Sequence, residues 1–180
     1  MISRLNKNNI HKYNRLAQKC LTGDGSCSLQ NQKWSCFASE LCIDSKTANG
    51  YLFDNFVNSS HAFVAHEEDE FCGCVTARPL VPSSLQVMFP HHVFEEKSGL
   101  ISDLCVNQER RGEGTARKML EAVMMHFDVT YLLVRLGSCE LMKERSKNLL
   151  SLYQHLGYEI VGRTDAYVLC RKQKKPEQSK

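Results

Sequence analysis

Residues 100–127, LISDLCVNQERRGEGTARKMLEAVMMHF, combine a strand, a glycine-containing turn and a helix in immediate succession. The apolar and β-branched residues of Leu100 to Val106 are typical of a largely buried strand. After the turn, apolar residues recur at helical spacing and predict an amphipathic helix. Its predicted apolar stripe comprises Ala116, Met119, Leu120, Val123, Met124 and Phe127.

The turn between these two elements is built from Arg111, Gly112, Glu113, Gly114, Thr115 and Ala116. Small or side-chain-free residues let the backbone turn sharply, so successive N–H groups can converge on an anion at the positive end of the helix. We therefore expect a pyrophosphate to bind here. The spacing excludes the two commonest phosphate loops, because a Walker loop ends in Gly-Lys-Ser/Thr and the dinucleotide fingerprint has a third glycine.

The turn resembles the Arg/Gln-x-x-Gly-x-Gly/Ala signature of the GNAT superfamily of acyl-CoA-dependent N-acyltransferases, with Arg111, Gly114 and Ala116 in the defining positions. A second similarity lies downstream, where residues 148–158, NLLSLYQHLGY, resemble the motif B helix that ends in Tyr-x-x-x-Gly-Phe. The two motifs follow each other in the family's order. The resemblance covers the chain from its first strand to Cys170.

This resemblance implies a GNAT fold, an α/β architecture with a mixed sheet of six or seven strands flanked by helices. The order of elements predicted along the chain agrees with that fold. Strands are predicted at residues 2–5, 61–66, 71–78, 100–106, 131–136, 158–162 and 166–170, and helices at residues 10–21, 116–127 and up to Gly157. The last helix is expected to bury Leu149, Leu152, Tyr153 and Leu156.

Three segments are harder to assign from the sequence. Residues 22–57 give a blurred pattern, and Pro79 to Lys97 is predicted to be a long connection without regular structure. Within it, His91 and His92 are interpreted as loop surface. The stretch from Gly137 to Arg145 is also interpreted as a long connection, which would place Ser146 at the cap of the following helix.

The length and composition of the chain are typical of a single globular domain. With 180 residues, 42% hydrophobic and 24% charged, the chain is expected to form a single domain over residues 1–170 without disulfides or metal. Residues 171–180, RKQKKPEQSK, are expected to be a basic, disordered tail. The net charge of +3 is too small to suggest a nucleic-acid partner.

Targeting signals are also missing from the sequence. No stretch approaches the ~20 apolar residues that a membrane span requires, and the N-terminus has no hydrophobic signal region. We expect a cytoplasmic or nucleocytoplasmic protein that does not associate with membranes. The nine cysteines are then expected to be free thiols. They lack the paired spacing of a zinc site.

The resemblance implies transfer of an acetyl group from acetyl-CoA, the cosubstrate, to a primary amine in a ternary complex. A free alkyl amine has a pKa of about 10.4, so the site must remove a proton before the amine can attack. Asp103 is the candidate base, and the alternatives are a water chain or a purely structural role for Asp103. Tyr153 occupies the family's position for the acid that protonates the departing thiolate, the alternative being a core aromatic.

Further site residues also follow from the resemblance. The backbone of Leu104, Cys105 and Val106 is expected to pair with the pantetheine arm, and Arg111 to Ala116 to hold the pyrophosphate. Ser146 stands where the family often has a cofactor-binding Asn. Cys105 is not expected to be a nucleophile, because no base to activate it is apparent.

The acceptor and two alternative functions stay open at this stage. A small cationic amine or an amino sugar is favoured, while peptide α-amines and protein lysines are also compatible, and a homodimer is one possible assembly. Asp24 to Cys27 resemble the nucleophile motif of ovarian-tumour-type deubiquitinases, which would make Cys27 the nucleophile of a cysteine hydrolase. The other alternative is a non-catalytic acyl-CoA-binding module.

Overall fold

The structure is a computed structural model that describes residues 1–4, 61–67, 70–107, 110–137 and 140–174. These ranges contain seven strands and three helices. In chain order they are β1 (Ile2–Arg4), β2 (His61–Glu67), β3 (Glu70–Pro79), α1 (Pro82–Gln86), β4 (Ser98–Val106), α2 (Thr115–Met124), β5 (Val129–Arg135), α3 (Glu140–His155), β6 (Glu159–Arg163) and β7 (Tyr167–Gln173). The predicted helix over residues 10–21, the region 22–57 and the Cys27 motif lie outside the described residues.

The strands are hydrogen-bonded in the order β1-β2-β3-β4-β5-β7-β6. Antiparallel pairs join β1 to β2 and β2 to β3, whereas β5 runs parallel to β4. The sheet is therefore mixed and has seven strands in the described residues, which confirms the predicted fold class. The chain separates into two compact units, Met1–Ala77 with Ser102–Val123 and Arg78–Ile101 with Met124–Lys180.

The first unit contains the predicted β-hairpin and the amphipathic helix α2. Val64 and Val75, on β2 and β3, are fully buried. On α2, residues 119, 120, 123 and 124 are buried, whereas Arg117, Lys118 and Glu121 are exposed. The 3.6-residue periodicity of the sequence thus identified both faces of the helix.

The second unit is organised around β5, which has a strand on each side. Ser98–Ile101 of β4 pair with Val129–Leu132, and β7 pairs with β5 along its whole length. At Gly99 a Cβ atom would lie 2.5 Å from the Phe127 ring, so only glycine permits this approach of strand and ring. The pairing of β6 with β7 confirms the predicted final hairpin.

The connection between β3 and β4 is more ordered than predicted. It contains helix α1, and Leu85 and Phe89 are buried in one cluster with Tyr131 and Leu169 of the sheet. The Gln86 side-chain amide lies within hydrogen-bond distance of the Phe89, Pro90 and His92 carbonyls, at 3.3, 2.9 and 3.1 Å. The prediction of an unstructured connection is wrong, because a five-residue helix is too short to produce a periodic pattern.

A polar network fastens this connection to β5 and β7. Arg171 donates from Nε and Nη2 to Oε1 of Glu95, at 2.8 and 2.5 Å, and from Nη1 to Glu159 at 2.6 Å. The Tyr131 hydroxyl donates to the other Glu95 oxygen and lies 2.9 Å from Nε2 of His92. His92 is half-buried and is not the surface loop residue that was expected, whereas His91 is exposed.

The same network shows that the prediction of a disordered tail from residue 171 onwards is wrong for its first residues. β7 continues through Gln173 and so includes the first three residues of the predicted disordered tail. The basic composition of the segment suggested solvation, but Arg171 pairs with two carboxylates inside the unit. Burial alone would raise the pKa of Glu95, yet hydrogen bonds from Tyr131 and Arg171 outweigh it and lower that pKa.

We predict that Glu95→Ala lowers the free energy of unfolding by about 1–2 kcal/mol, because it removes hydrogen bonds to a charged group that solvent partly screens. The folded-state pKa of Glu95 is depressed, so its contribution is present above the ordinary glutamate pKa and is lost as the pH falls through the folded-state value. Urea denaturation of the wild type and of Glu95→Ala should therefore show a difference in unfolding free energy at pH 7 that becomes smaller in acid. Glu96, the exposed neighbour of Glu95, provides the control, since Glu96→Ala should leave the free energy of unfolding almost unchanged.

Candidate active site

The turn between β4 and α2 has the backbone geometry that the glycines predicted. Gly112 and Gly114 adopt positive φ angles of 89° and 78°, a left-handed conformation that other residues rarely take. A Cβ atom built at either glycine would meet nothing within 4 Å among the residues that the structure describes. The space beside the two glycines is therefore open and available to a ligand that approaches the backbone.

Helix α2 begins directly after this turn. The Lys118 N–H donates to the Gly114 carbonyl at 3.1 Å, so Gly114 supplies the first acceptor of the helical ladder. The N–H groups of the preceding residues have no acceptor within the helix, which is the general property that makes a helix N-terminus attract anions. The exposure of residues 111–114 leaves this end of the helix accessible to solvent.

The two arginines of the turn have different surroundings. Arg110 forms an ion pair with Glu67 at 2.7 Å and lies 3.7 Å from Glu113. It therefore ties the turn to the end of β2 and offsets the negative charge of Glu113. The exposed Arg111 makes a long contact of 3.4 Å from Nε to the Val106 carbonyl. Of the two, Arg111 is the better placed to meet a phosphate in solvent.

The end of β4 is supported by a close approach of β3. A Cβ atom at Gly73 would lie 2.7 Å from the Cys105 carbonyl and 2.9 Å from Cε of Met119. The Asn107 N–H donates to the Cys72 carbonyl at 2.8 Å. Gly73 is thus required for the packing beneath the turn. Sequence reasoning missed this role, although an isolated glycine within a strand is a known signal of close backbone approach.

Leu104, Cys105 and Val106 are half-buried on β4, and Cys105 is a free thiol. Asp103 belongs to the same strand. The placement of its side chain lies outside the described part of the structure.

The C-terminal end of α3 explains the motif Tyr-x-x-x-Gly-Tyr in structural terms. The Tyr158 N–H donates to the Tyr153 carbonyl at 2.9 Å, and the Gly157 N–H donates to the Gln154 carbonyl at 2.9 Å. These two bonds define a Schellman motif, in which the residue after the helix adopts a left-handed conformation. Gly157 supplies that conformation with φ of 85°. The four-residue spacing between Tyr153 and Gly157 in the motif is therefore the spacing that this Schellman motif requires.

Tyr153 is held within this helix end. It is 9% exposed, and its ring meets the Tyr158 ring edge-on with centroids 5.9 Å apart. Lys172 of β7 adds a further contact by donating from Nζ to the Leu156 carbonyl at 2.7 Å, where a cation complements the helix dipole. The prediction that Tyr153 lies on the buried face is confirmed, but Leu152 is 41% exposed and does not belong to that face.

Ser146 does not cap a helix, because α3 begins at Glu140 and includes most of the predicted connection. Its side chain is buried, and the hydroxyl donates to the Arg135 carbonyl at 2.7 Å. Ser146 therefore joins the middle of α3 to the last residue of β5. Since its single donor is already used, the hydroxyl could interact with a cofactor only as an acceptor.

A shallow cavity of about 220 Å³ borders the connection between β3 and β4. Residues 88–92 form one side and residues 161–163 of β6 form the other. A Cβ atom at Gly162 would approach Cδ1 of Phe89 to 2.6 Å, so the strand lies directly against the connection there.

Comparison with known families decides the identity of the chain. Residues 58–160 match the sequence profile of the acetyltransferase (GNAT) domain, which is more than half of the chain. The chain belongs to the GNAT acetyltransferase family. The resemblance inferred from the turn and from the motif around Tyr153 is therefore confirmed. This GNAT protein thus contains an acetyltransferase domain.

Solved structures agree with the GNAT fold over nearly the whole chain. PH1933 from Pyrococcus horikoshii OT3 is similar with a TM-score of 0.65 and 18% identity, covering 98% of this chain and 99% of that one. An aminoglycoside 6′-N-acetyltransferase complexed with coenzyme A gives 0.63 and 16%, covering 99% of both. The PaiA N-acetyltransferase from Thermoplasma acidophilum in complex with coenzyme A gives 0.62 and 10%, covering 97% and 98%. No curated protein matches the sequence.

Two further observations concern other kinds of site in the GNAT protein. Within the described ranges, no three His, Cys, Asp or Glu side chains are grouped so that they could hold a metal ion. None of the helices in those ranges combines the length and the apolar character that crossing a membrane requires.

We predict that Gly114→Val weakens coenzyme A binding by at least 10-fold, because the new side chain would project into the open space in front of the turn and would strain a left-handed position. Isothermal titration calorimetry measures the affinity, and a thermal melt confirms folding. Gly114→Asn separates the two effects, since Asn tolerates a left-handed backbone. A folded Val variant with wild-type affinity would show that the pyrophosphate binds elsewhere.

Proposed function

We propose that this GNAT protein transfers an acetyl group from acetyl-CoA to a primary amine by direct attack in a ternary complex. The observation that carries the proposal is the pair of left-handed glycines beside open space at the start of α2. A pyrophosphate fits such a site, since backbone N–H groups and the helix dipole both favour negative charge. Two N-acetyltransferases of similar fold are known in complexes with coenzyme A, which supports the same cosubstrate here.

The cosubstrate would be held by both halves of the β4–turn–α2 segment. Arg111 and the backbone from Gly112 to Ala116 would bind the pyrophosphate, with Glu113 balanced by Arg110. The backbone of Leu104 to Val106 would pair with the amides of the pantetheine arm as an added strand does. The bound cosubstrate supplies a thioester whose carbonyl carbon is open to attack by an amine.

Two side chains would handle the protons of the reaction. An alkyl ammonium cannot attack, so we assign Asp103 to the acceptor amine, either as the base or by holding a water molecule that carries the proton away. When the new amide forms, the coenzyme A sulfur departs as a thiolate. Tyr153 would protonate that sulfur, in keeping with its fixed position at the end of α3.

For the acceptor we favour a small cationic amine or an amino sugar. A carboxylate at the amine end of the site would stabilise a cation before it is deprotonated. An aminoglycoside 6′-N-acetyltransferase among the similar folds is compatible with an amino sugar. The connection of residues 79–97 is the described segment that we assign to the acceptor side.

The deciding experiment is an acetyl-CoA-dependent screen of amines that measures released thiol. The panel should contain polyamines, amino sugars, peptides with a free α-amine and lysine peptides, each at several concentrations. Turnover with one class identifies the acceptor. Tight binding of acetyl-CoA without turnover of any amine above background hydrolysis would instead indicate the non-catalytic binding module.

We predict that Tyr153→Phe lowers kcat by roughly 10- to 1,000-fold with little change in acetyl-CoA affinity, because it keeps the ring and removes only the acidic hydroxyl. Steady-state kinetics at saturating substrates give kcat, and calorimetry gives the affinity. Wild-type turnover would assign Tyr153 to the core alone.

We predict that Asp103→Asn lowers kcat/KM for the amine most strongly at neutral pH, where the protonated amine dominates, and leaves coenzyme A affinity unchanged. Activity should partly recover as the pH rises towards the amine pKa, because more acceptor is then already deprotonated. Kinetics between pH 6 and pH 10, which is roughly the range in which alkyl amines begin to deprotonate, measure this recovery. Lost coenzyme A affinity or unfolding of the variant would make Asp103 a structural residue.

A further inference from the structure

Tyr158 occupies the place where the family motif has Phe, and it therefore adds a hydroxyl group to this helix end. Tyr158 is 3% exposed, and its Oη lies 3.0 Å from Oγ1 of Thr130. Thr130 is fully buried on β5. Burial raises the pKa of Tyr158 to about 12, so the phenol stays protonated at neutral pH. Two buried hydroxyl groups thus satisfy each other across the gap between helix end and strand.

The bond to Thr130 acts on a residue that contacts Tyr153 in two ways. The Tyr158 N–H donates to the Tyr153 carbonyl at 2.9 Å, which fixes the backbone at the start of the Schellman motif. The Tyr158 ring lies edge-on to the Tyr153 ring, with an interplanar angle of 62°. The orientation of the Tyr158 ring therefore limits the positions that the Tyr153 ring can take.

A neighbouring strand supports the same arrangement. Thr130 pairs with Lys172 in the β5–β7 register. Lys172 Nζ donates to the Leu156 carbonyl and lies 5.7 Å from the centroid of the Tyr158 ring. The end of α3 is thus fastened to two adjacent strands, once through a phenol and once through an ammonium group.

We propose that Tyr158 is a positioning residue for Tyr153 and that it acts through its hydrogen bond with Thr130. The proposal rests on the proposed function, in which the Tyr153 hydroxyl protonates the departing sulfur. Proton transfer requires the phenol to lie within hydrogen-bond distance of that sulfur, and a displacement of about 1 Å can lower a rate about 100-fold. Tyr158 itself needs no contact with either substrate.

The test uses Tyr158→Phe, which keeps the ring contact and the backbone bonds and deletes only the hydroxyl. We expect kcat to fall roughly 10- to 100-fold while acetyl-CoA affinity stays within about twofold, because positioning of the acid changes and binding at the turn does not. Thr130→Val removes the other partner of the bond and should give the same fall. The two changes together should cost no more than either alone, since both delete one interaction.

The decisive comparison repeats Tyr158→Phe in a Tyr153→Phe background. Without the Tyr153 hydroxyl there is no acid left to position, so the second substitution should cause no further loss of kcat. A general loosening of the helix would instead lower kcat by the same factor in both backgrounds, and this result would overturn the proposal.

Thr164→Ala is the control for loosening of the same unit. It deletes a hydroxyl that accepts from the Tyr167 and Ala166 N–H groups, at 3.0 and 3.3 Å, in the turn between β6 and β7. The proposed function gives this turn no role, so we expect a lower melting temperature with wild-type kcat at saturating substrates. All kinetics are measured well below the melting temperatures, and Thr130→Val replaces Tyr158→Phe if the latter does not fold.

The outcomes separate this inference from the proposed function. If Tyr153→Phe keeps full turnover, the proposed function fails and the positioning role fails with it. If Tyr153→Phe loses turnover whereas folded Tyr158→Phe and Thr130→Val keep it, the positioning role alone is wrong.

Discussion

The unsatisfied backbone groups at helix ends determine the structure of the two segments that carry the predicted site residues, the start of α2 and the end of α3. A helix leaves backbone N–H groups without partners at its start and carbonyl groups without partners at its end. At the start of α2, Gly112 and Gly114 lie beside space that no described residue fills, so an anion can approach the backbone there. In α3 the ending carbonyls are met within the protein, by Tyr158, Gly157 and Lys172. One helix end thus suits binding, and the other suits rigid placement of a side chain.

Much of the fold was predictable from the sequence because the elements are long and periodic. The stripe of α2 repeats over three turns, and the strands of both hairpins are separated by clear turn residues. The turn between β4 and α2 was predictable for a different reason, since glycine adopts positive φ at no steric cost. The role of Gly157 followed in the same way, through the spacing between Tyr153 and the glycine that ends the helix.

The parts that the sequence did not reveal depend on partners distant along the chain. Arg171 appeared to belong to a solvated basic tail, yet it pairs with Glu95, which is 76 residues away. Ser146 was expected to cap a helix because residues 137–145 were interpreted as a long connection, whereas its hydroxyl bonds to the end of β5. Gly73 was overlooked between two cysteines, although it makes room for the Cys105 carbonyl. No local pattern reports such contacts, because each depends on tertiary packing.

The position of β7 between β5 and β6 has a consequence for the synthesis of the protein. It is the last of the described strands to leave the ribosome, yet it occupies an internal place in its half of the sheet. Until it emerges, β6 lacks its partner strand and Glu95 lacks its arginine. The second unit can therefore complete its folding only when synthesis has passed Gln173, and nascent chains that stall earlier expose unpaired strand edges on which chaperones or aggregation can act.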